Sequence, residues 1–190
     1  MHIAIISSST RPSNNTHRVA QAFDRKLGLV DDISLDLIDL MQMDIPLFHE
    51  VETKHPNPPL GLTDASQRLQ KADAVLFVSP EYNGSYSPAL KNLVDSLNNE
   101  EFWHKPIGVI SVTEGSMGGI RGALQMQQLV LSLFGFPIPE MMLVPKVRTH
   151  FDETGNVLDE QFDQKLDQYL VRFLWFAGAI VAKKQLVESI

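Results

Sequence analysis

Short apolar runs alternate with stretches of helical periodicity along the whole chain of 190 residues. The runs with the composition of strands are residues 2–6, 33–38, 73–78, 107–112 and 141–144. Apolar positions at helical spacing predict helices over residues 18–27, 65–71, 89–97, 120–134 and 160–182. Strands separated by helices are typical of a parallel sheet covered on both faces. The sequence therefore predicts an α/β fold. We expect one domain over residues 1–190, with the proline-rich stretch 46–59 as a long surface loop.

The composition excludes several kinds of chemistry. The chain has no cysteine, which rules out disulfides, thiolate nucleophiles and Cys-ligated metals, and its six histidines lack the HxH and HExxH spacings of metal sites. A net charge of −7 disfavours a nucleic-acid surface. Residues 1–13 lack the basic region of a signal peptide, and the apolar stretch 170–182 is shorter than the roughly 20 residues that span a bilayer. We therefore expect a cytoplasmic protein with no metal, no nucleic-acid partner and no membrane segment.

The loop after the first strand, residues 7–17, reads SSSTRPSNNTH and runs directly into a helix. Hydroxyls, amides and a guanidinium just before a helix N-terminus are typical of an anion site, because free N–H groups and the helix dipole favour negative charge there. The loop has neither a Walker A nor a GxGxxG pattern. In the alternative interpretation it is a polar loop in which Asn15 or Thr16 caps the helix. Arg11 favours phosphate, since a guanidinium binds phosphate through paired hydrogen bonds.

Two further loops follow the third and fourth strands, and in a parallel sheet they should end near the first loop. Residues 79–88 contain Tyr82, whose ring can pack against a flat ligand or, alternatively, shield the loop from solvent. Residues 113–121 contain Gly115, Gly118 and Gly119, which permit close backbone approach to a flat ligand. Arg121 could contact the ligand or pair with a carboxylate, and the sequence leaves both open.

The segment from Pro80 to Asp95 resembles the signature PEYN-x-S-x-P-x-x-LKN-x-x-D of the NAD(P)H-dependent FMN reductases, a flavodoxin-like family. The first loop is similar to that family's S-x-R-x-x-S phosphate loop, and residues 113–121 to its S-x-G-x-x-GG-x-R loop. The resemblance implies a three-layer flavodoxin-like fold with strand order 2-1-3-4-5. It also implies that FMN is bound by Ser9, Arg11, Ser13, Asn15, Thr16, Pro80, Glu81, Tyr82, Asn83, Gly84, Ser85, Thr113, Glu114, Gly115, Ser116, Gly118 and Gly119.

The same resemblance implies an oxidoreductase with NADPH or NADH as reductant and FMN, rather than a side chain, as the catalytic group. The expected reaction is a ping-pong two-electron reduction of quinones, free flavin, azo compounds or metal oxyanions. A flavodoxin-type electron carrier that binds FMN without NAD(P)H turnover is the alternative. Members of the family often form homodimers or homotetramers, which implies that residues 89–97 and 46–59 contact a second subunit.

Overall fold

A computed structural model describes the backbone of residues 1–188 and the side chains as far as Lys184. Its five strands form one parallel sheet in the order β2-β1-β3-β4-β5, which confirms the expected fold. The strands are β1 (His2–Ser7), β2 (Ser34–Asp39), β3 (Ala74–Pro80), β4 (Pro106–Val112) and β5 (Phe136–Val144). The helices are α1 (Asn15–Leu27), α2 (Leu60–Lys71), α3 (Pro88–Ser96), α4 (Ile120–Ser132), α5 (Val147–His150) and α6 (Glu160–Glu188).

The core lies on both sides of the sheet. Helices α1 and α6 cover one face, where Phe23, Tyr169 and Phe173 are fully buried. Helices α2, α3 and α4 cover the other face with side chains such as Leu69 and Leu93. Every residue of β3 and β4 is buried, which is why these strands read as nearly continuous apolar runs. No helix in the described part of the chain has the length and apolar character needed to cross a membrane.

Several element boundaries differ from the sequence prediction; α2, for example, begins at Leu60 rather than at residue 65. Helix α1 begins at Asn15 rather than at residue 18, because the side chain of Asn14 accepts a hydrogen bond from the backbone N–H of His17 and caps the helix. Strand β5 begins at Phe136 rather than at residue 141. Pro137 and Pro139 are compatible with this strand because β5 lies at the edge of the sheet, where half of its backbone groups need no strand partner.

The proline-rich stretch 46–59 is irregular except for a short 3-10 turn, Glu52–Lys54. Its first part is fixed to α3 by one side chain. Asn92 donates from Nδ2 to the carbonyl of Pro46 (2.8 Å) and accepts from the backbone N–H of Phe48 at Oδ1 (2.7 Å). The backbone on both sides of Leu47 is therefore held against α3.

Lys105, just before β4, is buried at the end of α2. Its Nζ donates to the carbonyl of Leu69 (2.6 Å) in the last turn of α2, which also accepts from the backbone N–H of Ala72 (3.1 Å). Burial and, to a smaller extent, the positive charge of Lys184 lower the pKa of the Lys105 ammonium to about 8, although Glu101 and Asp73 act in the opposite direction. The folded state therefore holds this proton less tightly than the unfolded chain does.

This difference predicts a pH-dependent stability. Between pH 8 and 10.5 the unfolded chain binds the Lys105 proton more tightly than the native state, so the contribution of this group to the free energy of unfolding should increase with pH. In denaturant titrations at pH 8 and 10, Lys105→Met should remove that increase. Lys71→Met, which alters an exposed lysine at the end of α2, is the matched control and should retain it. An identical pH dependence in the wild type and in Lys105→Met would contradict the prediction.

Candidate functional site

The loops after β1, β3 and β4 meet at the carboxyl edge of the sheet around a cleft of about 270 Å³. Helix α5, which follows β5, forms the remaining side of the cleft. The lining residues are Ser9, Arg11, Ser13, Asn15, Thr16, Pro80, Glu81, Tyr82, Val112, Thr113, Glu114, Val147 and Arg148. All the candidate residues of the first loop are therefore together, along with the beginnings of the other two loops.

The first loop is folded by its own polar side chains. Asn14 donates from Nδ2 to the carbonyl of Ser9 (2.7 Å) in addition to capping α1. The capping alternative that named Asn15 or Thr16 is thus wrong, since the cap lies one residue earlier. Asn15 is left to face the cleft, where its Oδ1 is buried and has no hydrogen-bond partner. The N-terminus of α1 and an acceptor that lacks a donor therefore lie at the same place.

Arg11 and Tyr82 join the first loop to the second. The guanidinium carbon of Arg11 lies 4.6 Å from the centroid of the Tyr82 ring, within the range of a cation–π interaction. Arg11 is exposed at the mouth of the cleft. The Tyr82 ring and the Arg11 guanidinium therefore lie next to each other at the carboxyl edge of the sheet, and the guanidinium is accessible to a ligand.

A tight turn forms the tip of the second loop. Tyr82 and Ser85 exchange two backbone hydrogen bonds of 2.8 and 3.0 Å, and the residues between them have left-handed backbone angles, with φ of 51° at Asn83 and 83° at Gly84. This is the geometry of a two-residue type I′ turn, for which Asn-Gly is a preferred sequence. The Ser85 hydroxyl donates to Gln125 of α4 (2.6 Å). Asn83, Gly84 and Ser85 shape the turn and do not line the cleft.

Glu81 points towards the beginning of α4. Its Oε2 accepts from the backbone N–H of Gly122 (3.0 Å), and its Oε1 accepts from Arg121 (3.1 Å). A carboxylate at a helix N-terminus is stabilised by the free N–H groups and the dipole there. Of the two roles that the sequence left open for Arg121, ligand contact or pairing with a carboxylate, the structure shows the pairing. Glu81 borders the cleft and also fixes the second loop to the third.

The third loop needs its glycines in order to pack on the sheet. Gly118 and Gly119 have φ of 66° and 76°, values that residues with a side chain rarely adopt. A Cβ at Gly118 would lie 2.8 Å from the Cβ of Leu143, and one at Gly119 would collide with the hydroxyl of Ser111. These two glycines, together with Gly115 and Ser116, lie outside the set that lines the cleft.

A buried serine network holds the first two loops in register. The Ser8 hydroxyl donates to the carbonyl of Val78, the Ser87 hydroxyl donates to Ser8, and the backbone N–H of Ser87 donates to the Ser79 hydroxyl, at 2.9–3.0 Å. All three serines are buried. The loops around the cleft are therefore fixed from below by groups that cannot reach solvent.

Arg148 in α5 is a cleft residue that sequence reasoning missed. Its Nε lies 3.0 Å from Oε1 of Glu114, which also accepts from Nδ2 of Asn15 (2.9 Å). Glu114 thus bridges α1 and α5 across one side of the cleft. No motif or spacing marks Arg148, because it reaches the cleft only through the position of β5 in the sheet. Val112 and Val147 were missed as well, since nothing distinguishes them from other core valines.

Comparison with known proteins identifies the family of this chain. Residues 1–149 match the family model described as NADPH-dependent FMN reductase. An NADPH:quinone oxidoreductase from Arabidopsis thaliana is 32% identical over 190 residues, covering 96% of this chain and 95% of that protein. An NAD(P)H-dependent FMN reductase from Pseudomonas aeruginosa is 30% identical over 155 residues, covering 78% and 82%.

A solved structure shares the fold at low sequence identity. FerB, a flavoenzyme NAD(P)H:(acceptor) oxidoreductase from Paracoccus denitrificans, has a TM-score of 0.77 and 20% identity, and the similarity covers 94% of this chain and 97% of FerB. The family model spans most of the chain and includes the three loops that border the cleft. This chain belongs to the NADPH-dependent FMN reductase family.

Proposed function

We propose that the chain binds FMN in the cleft and catalyses the NAD(P)H-dependent two-electron reduction of small-molecule acceptors. The observation that carries the proposal is the convergence of the α1 N-terminus, Arg11 and Tyr82 at one edge of a parallel sheet. Relatives are described as quinone, azo and FMN reductases, so quinones, azo compounds and free flavin are the acceptor classes to test first. Metal oxyanions are a further class in the proposal.

The residues of the cleft fit FMN. Arg11, the α1 N-terminus and the hydroxyls of Ser9, Ser13 and Thr16 supply the donors that a phosphate requires. The buried Oδ1 of Asn15 lacks a donor, and a hydroxyl of the ribityl chain can provide one. Bound FMN would supply hydride acceptance from NAD(P)H and two-electron transfer to an acceptor. The other proposed site residues, Pro80, Glu81, Asn83, Gly84, Ser85, Thr113, Glu114, Gly115, Ser116, Gly118 and Gly119, would border the ring or fix the loops that do.

No cleft side chain is required as an acid or a base. Both carboxylates of the cleft already have partners. Glu81 pairs with Arg121 and accepts from the N-terminus of α4, and Glu114 pairs with Arg148 and accepts from Asn15. Protons can come from solvent, because the cleft is open to it. In this proposal the protein binds and orients, and the redox chemistry belongs to the cofactor.

Charge at the cleft favours a reductase over an electron carrier. A carrier recognises a protein partner through a surface of one sign around its cofactor. Here the acids Glu81 and Glu114 are each paired with an arginine, and Arg11 adds a further positive charge. A small-molecule acceptor fits such a balanced rim. Bleaching of the yellow protein by NADPH would support the reductase, whereas yellow protein that NADPH leaves unchanged would support the carrier.

We propose further that the enzyme is a cytoplasmic homodimer or homotetramer. A groove of about 500 Å³ runs along α3 and α4 and includes Val51 of the 46–59 loop. Its lining combines apolar side chains such as Val94 and Leu129 with the amides of Gln125 and Gln128. A groove of mixed polarity on two neighbouring helices is suited to contact with a second subunit.

The proposal requires FMN rather than FAD. The first loop can hold one terminal phosphate, and the chain has no second glycine-rich fingerprint for an adenosine half. Denaturing the purified protein and separating the released flavin by chromatography should give FMN. Recovery of FAD alone, or no flavin after reconstitution with FMN, would refute the assignment.

Arg11→Ala should weaken FMN binding by roughly 1.5–3 kcal/mol, the range for a hydrogen bond to a charged group. The change in FMN affinity is measured by titrating FMN with the apoprotein and recording the quenching of flavin fluorescence. Arg25→Ala removes an exposed arginine in the last turn of α1, outside the cleft, and should leave FMN affinity unchanged. Arg11→Lys should recover only part of the affinity, because an ammonium lacks the paired donors of a guanidinium. Equal affinity in the wild type and in a folded Arg11→Ala protein would show that Arg11 does not hold the phosphate.

Donor and acceptor should use the same open side of the cleft in turn, which predicts parallel initial-rate lines for NAD(P)H and a quinone. Tyr82→Ala should lower kcat/KM about tenfold, the size of one lost ring contact, with a nearly unchanged melting temperature because the ring is not in the core. Tyr82→Phe keeps the ring and serves as the control. Intersecting lines would contradict alternation, and an unfolded Tyr82→Ala protein would show that the ring serves mainly to stabilise the loop.

A further inference from the structure

The second half of α6 is more apolar than the core requires. From residue 170 to 182 the sequence is LVRFLWFAGAIVA, with Arg172 as its one charge. Phe173 and Ala177 are buried against the sheet. On the outward side of the same turns Trp175 is 75% exposed and Val171 is 67% exposed. Large apolar side chains exposed on adjacent turns of one helix are typical of a surface that another molecule covers.

The exposed residues have the spacing of a helix-packing seam. Val171, Trp175, Gly178 and Ala182 are separated by four, three and four residues and are all exposed. This spacing places them along one side of a helix, as in two helices that pack lengthwise. A Cβ at Gly178 would meet no described atom within 4 Å apart from the neighbouring backbone of its own helix. The middle of the seam is therefore open and can admit the backbone of a second helix closely.

A small apolar pocket of about 220 Å³ lies next to the seam. Its lining residues are Ile138, Pro139, Glu140, Arg172, Trp175 and Phe176. At its rim Arg172 donates from one nitrogen to both carboxylate oxygens of Glu140, at 2.6 and 2.7 Å. One cation beside one anion is complementary to its own copy when that copy is rotated by a two-fold axis. This charge pattern favours a second copy of the chain as the molecule that covers the surface.

The neighbouring edge strand restricts how that molecule can bind. Pro137 and Pro139 of β5 have no backbone N–H, and the side chain of Gln127 donates to the carbonyl of Ile138 (2.8 Å). Addition of a further strand to β5 is therefore blocked there. The occupant must pack by side chains, as a helix does.

We propose that a second copy of this chain docks here, α6 against α6 about a two-fold axis, with Arg172 of each copy facing Glu140 of the other. The net charge of −7 and the carboxylate at the rim disfavour the alternative occupant, an anionic membrane. The surface lies on the α1–α6 side of the sheet, opposite the groove along α3 and α4. The contact does not depend on FMN. If the α3–α4 groove also forms a subunit contact, docking through α6 would double the number of subunits in that assembly.

The first test measures the mass of the full-length, flavin-loaded protein by sedimentation velocity. Trp175→Glu should halve the mass and weaken self-association by about 30-fold or more, as expected for loss of a central tryptophan. Leu29→Glu alters another exposed apolar residue, which is 86% exposed beyond the end of α1, and should keep the wild-type mass. Flavin content and melting temperature establish that both variants are folded. A monomeric wild type, or equal masses for the wild type and Trp175→Glu, would overturn the proposal.

The second test separates contacts between copies from contacts within one. Arg172→Glu and Glu140→Arg should each reduce self-association, because like charges then face each other across the axis. Mixing the two variants should restore the wild-type mass, since opposite charges again meet between copies while each chain keeps a like-charged pair internally. Failure of the mixture to associate would overturn the reciprocal pairing. Binding of a monomeric wild type to phosphatidylglycerol vesicles, lost in Trp175→Glu, would assign the surface to a membrane instead.

Discussion

Parallel hydrogen bonding of the five strands is the constraint on which the rest of the molecule depends. Because every strand runs in the same direction, all of them end at one edge of the sheet, and the chain must return each time through a helix on one face or the other. The return helices and the final helix α6 together bury β3 and β4 completely. They also bring the N-terminus of α1 and the loops after β1, β3 and β4 to a common place. The cleft is thus a consequence of the sheet's direction as much as of its own residues.

Several side chains at the cleft hold one loop against another. Glu81 connects the second loop to the beginning of α4, Glu114 connects α1 to α5, and the hydroxyl of Ser87 connects α3 to the first loop. A cleft built from loops alone would lose conformational entropy on binding, and these cross-links reduce that cost by fixing the loops beforehand. A residue in a binding motif can therefore act by positioning its neighbours.

Local patterns were enough to predict the five strands, the five longer helices and the three convergent loops, because strand composition, helical spacing and turn residues are properties of short segments. The strand order came from the resemblance to a known family, and the short helix α5 was not predicted. They failed where a distant part of the chain decides the outcome. The start of β5 was missed because its prolines are tolerated only at a sheet edge, which the local sequence does not reveal. Arg148 was missed for a similar reason, and the contacts of Ser85 and Glu81 with α4 depend on how two loops pack.

The anchoring of the 46–59 loop by Asn92 has a consequence for how this surface can vary. One amide fixes the backbone on both sides of Leu47, which is 86% exposed, and the neighbouring Phe48 is 47% exposed. The path of the loop therefore does not depend on which side chains it displays at these two positions. Substitutions there can change the chemistry of the surface during evolution with little loss of stability, whereas a change at Asn92 would release the backbone itself.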